Sequence, residues 1–443
     1  MAKALRGFAR LVRRLRETGG NVAVMTALSL PVVLGAFGMG SEAVSWMTTH
    51  RMLQNAADAA AIASATDGTS NYAAEGAAVA AQYGLQNGVN GVSLAFSNSA
   101  PCPAGVTGPC YSVTISKPEP LLLAQVTGYQ GDTNYGGGPA KVISATAVAV
   151  QETYPRSYCI LALGSSGVDP ALQTNGAPKA ALKGCNVMSN TGARCNGHNL
   201  GADVGDAHWT NNGCGVLKHS NIPVVADPYA SRASAIPPDP CGGNYWNPLG
   251  RRKKRGTPPT PPNGVSGNVG WNSASPICGN LQLLGDVAVN QSATVYIYNG
   301  DLDMNGHSLN AAPGVSLTFV FAGDNAHSHT ITGGGNLNFA APTTGPWAGM
   351  ALYQAPNLTS GVNISAAGNS PTWAITGMGY FPHASVTLSG AVNKSAFGKS
   401  CFGLVVDNMT INGTGSIIDH GECKEAGLDL PEAMVPSRGK LVM

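Results

Sequence analysis

The sequence predicts one membrane-spanning helix, then a small α+β region, then a large mainly-β domain, taken as a parallel β-helix with a β-sandwich as the alternative. Three observations predict this. An uncharged apolar run covers residues 18–41, directly after a cluster of arginines. A polar, alanine-rich stretch comes next at helical spacing. Beyond about residue 157, short apolar pairs recur between Asn, Gly and Ser turns.

The span is assigned to residues 18–45. About 20 apolar residues rising ~1.5 Å each cross a bilayer's hydrocarbon core. Residues 1–17 form a basic tail carrying Arg10, Arg13, Arg14 and Arg16, together with Lys3 and Arg6. The positive-inside rule keeps such a tail cytoplasmic and exports the chain beyond the span. A cleaved signal peptide would have an apolar region of about 7–15 residues; this run is longer and continues as helix without a processing break. Pro31 is expected to kink the span. Ala36 and Gly40 make a small-xxx-small pair that lets a partner helix approach closely. Glu42 reads as an interfacial carboxylate at the outer boundary.

All ten cysteines lie beyond the span, which suits disulfides in an oxidising compartment. There is no Cys-x-x-Cys, so a zinc site is poorly supported. Pairing of chain neighbours is expected: Cys102–Cys110, Cys159–Cys185, Cys195–Cys214, Cys241–Cys278 and Cys401–Cys423. Charged residues make up only 11% of the chain, and 58 glycines stand against 9 phenylalanines, a composition of short strands and turns. The net charge of +2 leaves no nucleic-acid footprint. Residues 251–255, RRKKR, are a basic loop between turn-rich and proline-rich stretches, read as a solvated segment.

Within 46–154, residues 43–65 and 72–87 have helical periodicity. Residues 92–96 and 111–115 alternate as strands joined through the Cys102–Cys110 loop. Residues 117–128 begin with prolines and end in glycine, which predicts a helix. Residues 141–150 alternate again.

GNVAVMTALSLPVVLG (20–35) with RMLQNAADAAAIASA (51–65) resembles the TadE/TadG-like N-terminal region of Tad (Flp) pilus-assembly proteins. The resemblance covers about residues 18–65 and extends more loosely to 151. It implies a pilin-like α+β region and an inner-membrane component of a bacterial pilus-assembly apparatus, single-pass, with a periplasmic C-terminal domain. Other pilus-assembly proteins or pseudopilins are the implied partners. Pseudopilins of this system carry glutamate at the fifth position after the cleaved glycine, where counting from Gly20 gives Met25 here. That departure favours an uncleaved, TadG-like protein. Residues 161–169, LALGSSGVD, lack the leading aspartate of the metal site that some TadG-like proteins carry in a von Willebrand A domain, so that domain is not assigned.

The β domain is assigned to 155–423, with 227–276 as an insertion between coils and 424–443 as a C-terminal tail. Pairs such as Leu281/Leu283, Val295/Ile297 and Val315/Leu317/Phe319 separated by turns are what stacked coils require. Several phrases here are similar to the β-helical C-terminal region of TadG-like proteins. Carbohydrate-active β-helices use clustered carboxylates; the candidates are Asp301 with Asp303, Asp324 with His327 and His329, and Asp407, Asp419 and His420. Aspartates before Gly or Asn are ordinarily turn-formers, and no nucleophile motif accompanies them. The expectation is therefore a non-enzymatic docking protein without cofactor or metal. A membrane-tethered carbohydrate-active enzyme or surface-glycan-binding adhesin is the alternative.

Overall fold

The computed structural model describes residues 19–175, 182, 184–246, 262–365, 373–389, 401–412, 423–424 and 427–442. Arg10, Arg13, Arg14, Arg16, the 251–255 loop, Asp419 and His420 lie outside them. The chain divides into two compact units, Met1–Tyr154 with Pro436–Met443, and Pro155–Val435.

In the first unit a single helix, α1 (Gly19–Asp67), contains both the apolar run and the alanine-rich stretch, with Pro31 inside it. It is apolar enough over one window to cross a membrane. Gly68, at φ +62°, ends it by donating its N–H to the Ser64 carbonyl at 3.1 Å. A second helix, α2 (Tyr72–Gln82), comes after it. The strands are β1 (Ser93–Ala100), β2 (Cys110–Pro120), β3 (Thr133–Tyr135) and β4 (Gly138–Ser157). β1, β2 and β4 run antiparallel, and the C-terminal strand Glu432–Leu441 extends the sheet beside β4.

The alanines explain how α1 and the sheet meet. Leu53, Ala57, Ala61 and Ala65 repeat every four residues, with Ala56 and Ala60 beside them, and all are fully buried. They share a core with Val113, Ile115, Ala145, Ala147 and Ala149 of the sheet. Small side chains on a helical stripe let backbone and sheet approach closely.

One expectation for this region is corrected by the structure. Residues 117–128 are not a helix: β2 runs through Pro120, and only Ala124–Thr127 forms a 3-10 turn. Lys117 and Glu119 each precede a proline, which pushes them to extended backbone. Beyond Ser116, β2 has no β1 partner, so Pro118 and Pro120 sit where a missing N–H is tolerated. The expected 424–443 tail also contains strand structure, because alternation in Glu432–Leu441 buries Ala433 and Val435.

The second unit is mainly β, with a large parallel sheet. One ladder runs through Ile277–Cys278, Ala293–Tyr298, Leu317–Ala322, Met350–Gln354, Trp373–Ser389, Phe402–Asn412, Ile160–Ala162, Asn186–Ser189, Val204–Ala207 and Leu217–His219. Every pairing in it is parallel, whereas sandwich sheets are antiparallel. Further parallel ladders join Leu281–Val289, Leu309–Ala311, Leu337–Ala340 and Trp373, and then Val386, Met409 and Leu172. Leu281, Val287, Phe319, Phe339, Leu352, Leu404 and their neighbours form the core between them.

The order of the first ladder is not the order of the chain. The chain enters it at Ile160, winds outward to Leu217–His219, and resumes at the opposite end with Ile277. From there it winds back until Leu404 pairs with Ile160. Residues 220–241 make the return journey along the ladder's outer face. In sequence, Ile222 donates to Ala207, Asn190 and Val225 exchange bonds, Asp227 accepts from Tyr380, Tyr229 accepts from Tyr353, Arg232 donates to Ala348 and Pro237 accepts from Tyr298. Cys241 then bonds Cys278. The first part of the expected insertion is thus a strap over a second apolar layer, which includes Tyr296, Trp347, Tyr353, Met378 and Tyr380. The Tyr353 and Tyr380 rings stack at 4.6 Å. Burial pushes the Tyr298 hydroxyl up to about 12, and burial together with the Asp227 hydrogen bond raises Tyr380 as well.

The other disulfides are Cys102–Cys110, Cys159–Cys185, Cys195–Cys214 and Cys401–Cys423. Replacing Cys241 and Cys278 with Ser should lower unfolding free energy by about 2–4 kcal/mol. Urea melts monitored by near-UV circular dichroism measure that loss, and limited proteolysis should cut first within 222–241.

Candidate functional site

The feature that distinguishes the first unit is the bare apolar length of α1. Met25, Leu28, Val32 and Phe37 are 71%, 72%, 71% and 79% exposed. Ala36 and Gly40 lie with Val33, Phe37 and Val44 on one open apolar surface. Among the described residues a Cβ added at Gly40 would meet nothing within 4 Å, which leaves this stripe open to another helix.

Glu42 is the one ionisable residue between Gly19 and Thr49. It is only 6% exposed. Its Oε1 accepts the backbone N–H of Leu122 at 2.5 Å and that of Leu123, and Oε2 accepts the N–H of Ala124 at 3.1 Å. Glu42 thus holds the 121–128 loop against the helix. The loop's approach requires glycine at 38, where a Cβ would stand 2.7 Å from the Leu123 Cβ. Nothing in the local sequence reveals this contact, because its partners are about 80 residues apart.

One turn further along α1, Trp46 and Tyr129 are 6.0 Å apart, with the Lys141 ammonium 5.6 Å above the Trp46 ring. Lys117 pairs with Glu119 at 2.7 Å, and Thr49 donates to the same carboxylate at 3.2 Å. The apolar stretch of α1 thus passes into an aromatic and then an ionic layer.

Residues 20–67 match the family model for TadE/G-like proteins of Flp pilus assembly. The chain therefore carries a TadE/G-like domain made of α1 alone. No curated protein and no solved structure matches the chain.

In the second unit the described carboxylates singled out in the sequence are engaged in hydrogen bonds within the fold. Asp301 accepts the Thr330 N–H at 2.9 Å, and burial raises its pKa. Asp303 accepts from Gln282 at 2.9 Å and from the Asn305 N–H at 3.0 Å. Asp324 accepts from the Ala326 N–H and contacts His327 at 3.1 Å; these two bonds hold its pKa low. His329 is fully buried, with Nε2 3.4 Å from Asn299, and burial depresses its pKa to about 4. Among the described residues, no three His, Cys, Asp or Glu side chains gather to hold a metal ion.

The structure also assembles two clusters, one around Asp407, whose partners the sequence did not single out, and one around Asp206. Asp407 is buried and accepts from the Ser165 hydroxyl at 2.6 Å, the Ser166 N–H at 3.0 Å and Asn408 at 2.9 Å. Burial works against ionisation there, but the serine hydrogen bonds prevail and its pKa falls. His383 lies 2.9 Å from the same Ser165 hydroxyl. In a hydrolytic triad the aspartate orients the histidine and the serine donates to it. Here the serine donates to the aspartate, leaving its oxygen to accept from His383. Asp206, 0% exposed, binds Arg156 at 2.5 Å, Tyr158 at 2.7 Å and His219 at 2.8 Å. Both clusters knit successive strands together.

Glu42→Ala should cost the loop about 1–3 kcal/mol, seen as roughly ten- to a hundredfold faster amide exchange at residues 122–124. A second expectation concerns acid. Because unfolded His329 takes up a proton near 6.5 and the folded residue resists until about 4, stability should fall as pH drops through that window. The loss approaches roughly 3 kcal/mol. Urea melts at stepped pH should show a correspondingly flatter slope in His329→Leu.

Proposed function

We propose that the protein is a single-pass, inner-membrane-anchored component of the Tad pilus-assembly apparatus that acts by docking. Its N-terminus is cytoplasmic and its second unit periplasmic. The observation that carries this reading is the coincidence of the TadE/G-like match with a helix whose apolar face is open at Ala36 and Gly40. The five disulfides fit an extracytoplasmic location. On this reading α1 packs against helices of other pilus-assembly proteins in the bilayer.

The second unit acts as a rigid, non-enzymatic scaffold, a stacked-coil solenoid of the parallel β-helix type. Support for the solenoid comes from several parallel ladders sharing one apolar core. Support for a non-enzymatic role comes from the engagement of Asp301, Asp303, Asp324 and Asp407 in backbone and side-chain bonds within the fold.

A clean deletion strain should lose pili or pilus-dependent adhesion, scored by electron microscopy and surface binding; normal piliation would overturn the reading. Gly40→Leu, which fills the open stripe, should weaken crosslinking to neighbouring pilus-assembly proteins at least severalfold. Asp301→Ala with Asp303→Ala should leave piliation intact and change no glycan turnover.

A further inference from the structure

We propose that the 121–128 loop is a second membrane-contacting element: Leu122, Leu123 and Val126 enter the acyl-chain layer beside α1, and Glu42 clasps the loop there. The inference rests on the membrane-anchored reading of α1 and adds a second, non-spanning contact to it.

Exposure is the first reason. Leu122, Leu123 and Val126 are 77%, 48% and 75% exposed, and Leu122 and Val126 are the most exposed large apolar side chains among the unit's described residues beyond α1. Residues 120–131 carry no charge. The apolar surface is also continuous with the span, since Leu123 and Val126 share one depression with Leu30, Leu34, Phe37 and Gly38. Whatever medium surrounds those helix residues also bathes the loop.

Depth is the second reason. Trp46, Tyr129 and Lys141 form the kind of aromatic and cationic group that settles at a membrane interface. Leu123 meets α1 at Gly38, eight residues before Trp46, or about 12 Å deeper along the helix. That distance carries the loop past the headgroups.

The third reason is the backbone. A loop in hydrocarbon must bring acceptors for its own N–H groups. Leu121 donates to Pro139 at 3.0 Å; Leu122, Leu123 and Ala124 donate to Glu42; Val126 donates to Leu123 at 3.0 Å and Gly128 to Gln125 at 3.0 Å. A loop resting in water needs none of this. The carboxylate is itself screened from lipid by the three N–H groups it binds, which accounts for a buried acid in the otherwise uncharged stretch 19–49 of α1.

The test uses the full chain in nanodiscs of phosphatidylethanolamine and phosphatidylglycerol, with native disulfides intact and an environment-sensitive fluorophore on one introduced cysteine. Leu122→Cys and Val126→Cys should be quenched severalfold more by acyl-chain nitroxide lipid than by aqueous iodide. Leu28→Cys should behave the same way and Asn98→Cys, on β1 beside the start of β2, in reverse. Adding Glu42→Ala should raise iodide access at residue 122. Iodide quenching at 122 and 126 with Leu28→Cys still in lipid would overturn the inference and leave the anchor standing. Protection from both quenchers would mean that a second copy of the chain covers the loop, and would overturn it too. Iodide quenching at Leu28→Cys would remove the anchor itself, and the inference with it.

Discussion

A parallel ladder hides its backbone but leaves two faces to cover, and the second unit is built around that requirement. The inner face is covered by the side chains of further parallel strands, in one core that extends from Ile160 to Ile411. The outer face carries Tyr296, Tyr298, Trp347, Tyr353 and Tyr380, which are too large and apolar to leave in water. The strap at 220–241 meets this need. It also solves a connection problem, because a chain that starts its winding in the middle of a ladder must travel back along it to finish. One segment closes the topology and buries the aromatic face, while the tyrosine hydroxyls and Arg232 hold it in place.

The first unit meets the same physical demand with small residues. On the C-terminal half of α1, alanines at four-residue spacing bring the helix onto the sheet. On the N-terminal half, Gly38 accepts the 121–128 loop while Gly40 accepts nothing within the chain. Two glycines two residues apart point to different sides of a helix. Gly38 is thus spent on the protein's own fold, and Gly40, with Ala36, stays open among the described residues.

Much of this organisation was legible because it is local. The apolar run, the alanine stripe and the alternation in the strands all arise from side-chain period, and α1 emerges from them directly. The TadE/G-like segment was readable for the same reason, since its signature lies within one helix. The contacts that escaped are non-local. No local pattern links Leu404 to Ile160, Glu42 to Leu122, or Ser165 to Asp407. The failure at 117–128 had another origin: prolines at a helix start and prolines at a strand edge look alike until the pairing partner is known. The short segment Ala124–Thr127 did turn, but only after β2 had ended.

The buried acids illustrate why residue type alone misjudged chemistry. Asp206, Asp407 and Glu42 are each almost inaccessible, and each is surrounded by donors that justify burial of a charge. Asp301, just before the strand Leu302–Asp303, and Asp303, at its end, accept the backbone N–H groups of Thr330 and Asn305. In a chain with so few charges, these carboxylates kept inside the fold are structural fasteners. The face that remains chemically unspent is apolar, on α1. The proposed docking role fits that asymmetry: the buried carboxylates hold the protein together, and α1 around Ala36 and Gly40 offers small residues and hydrocarbon outward.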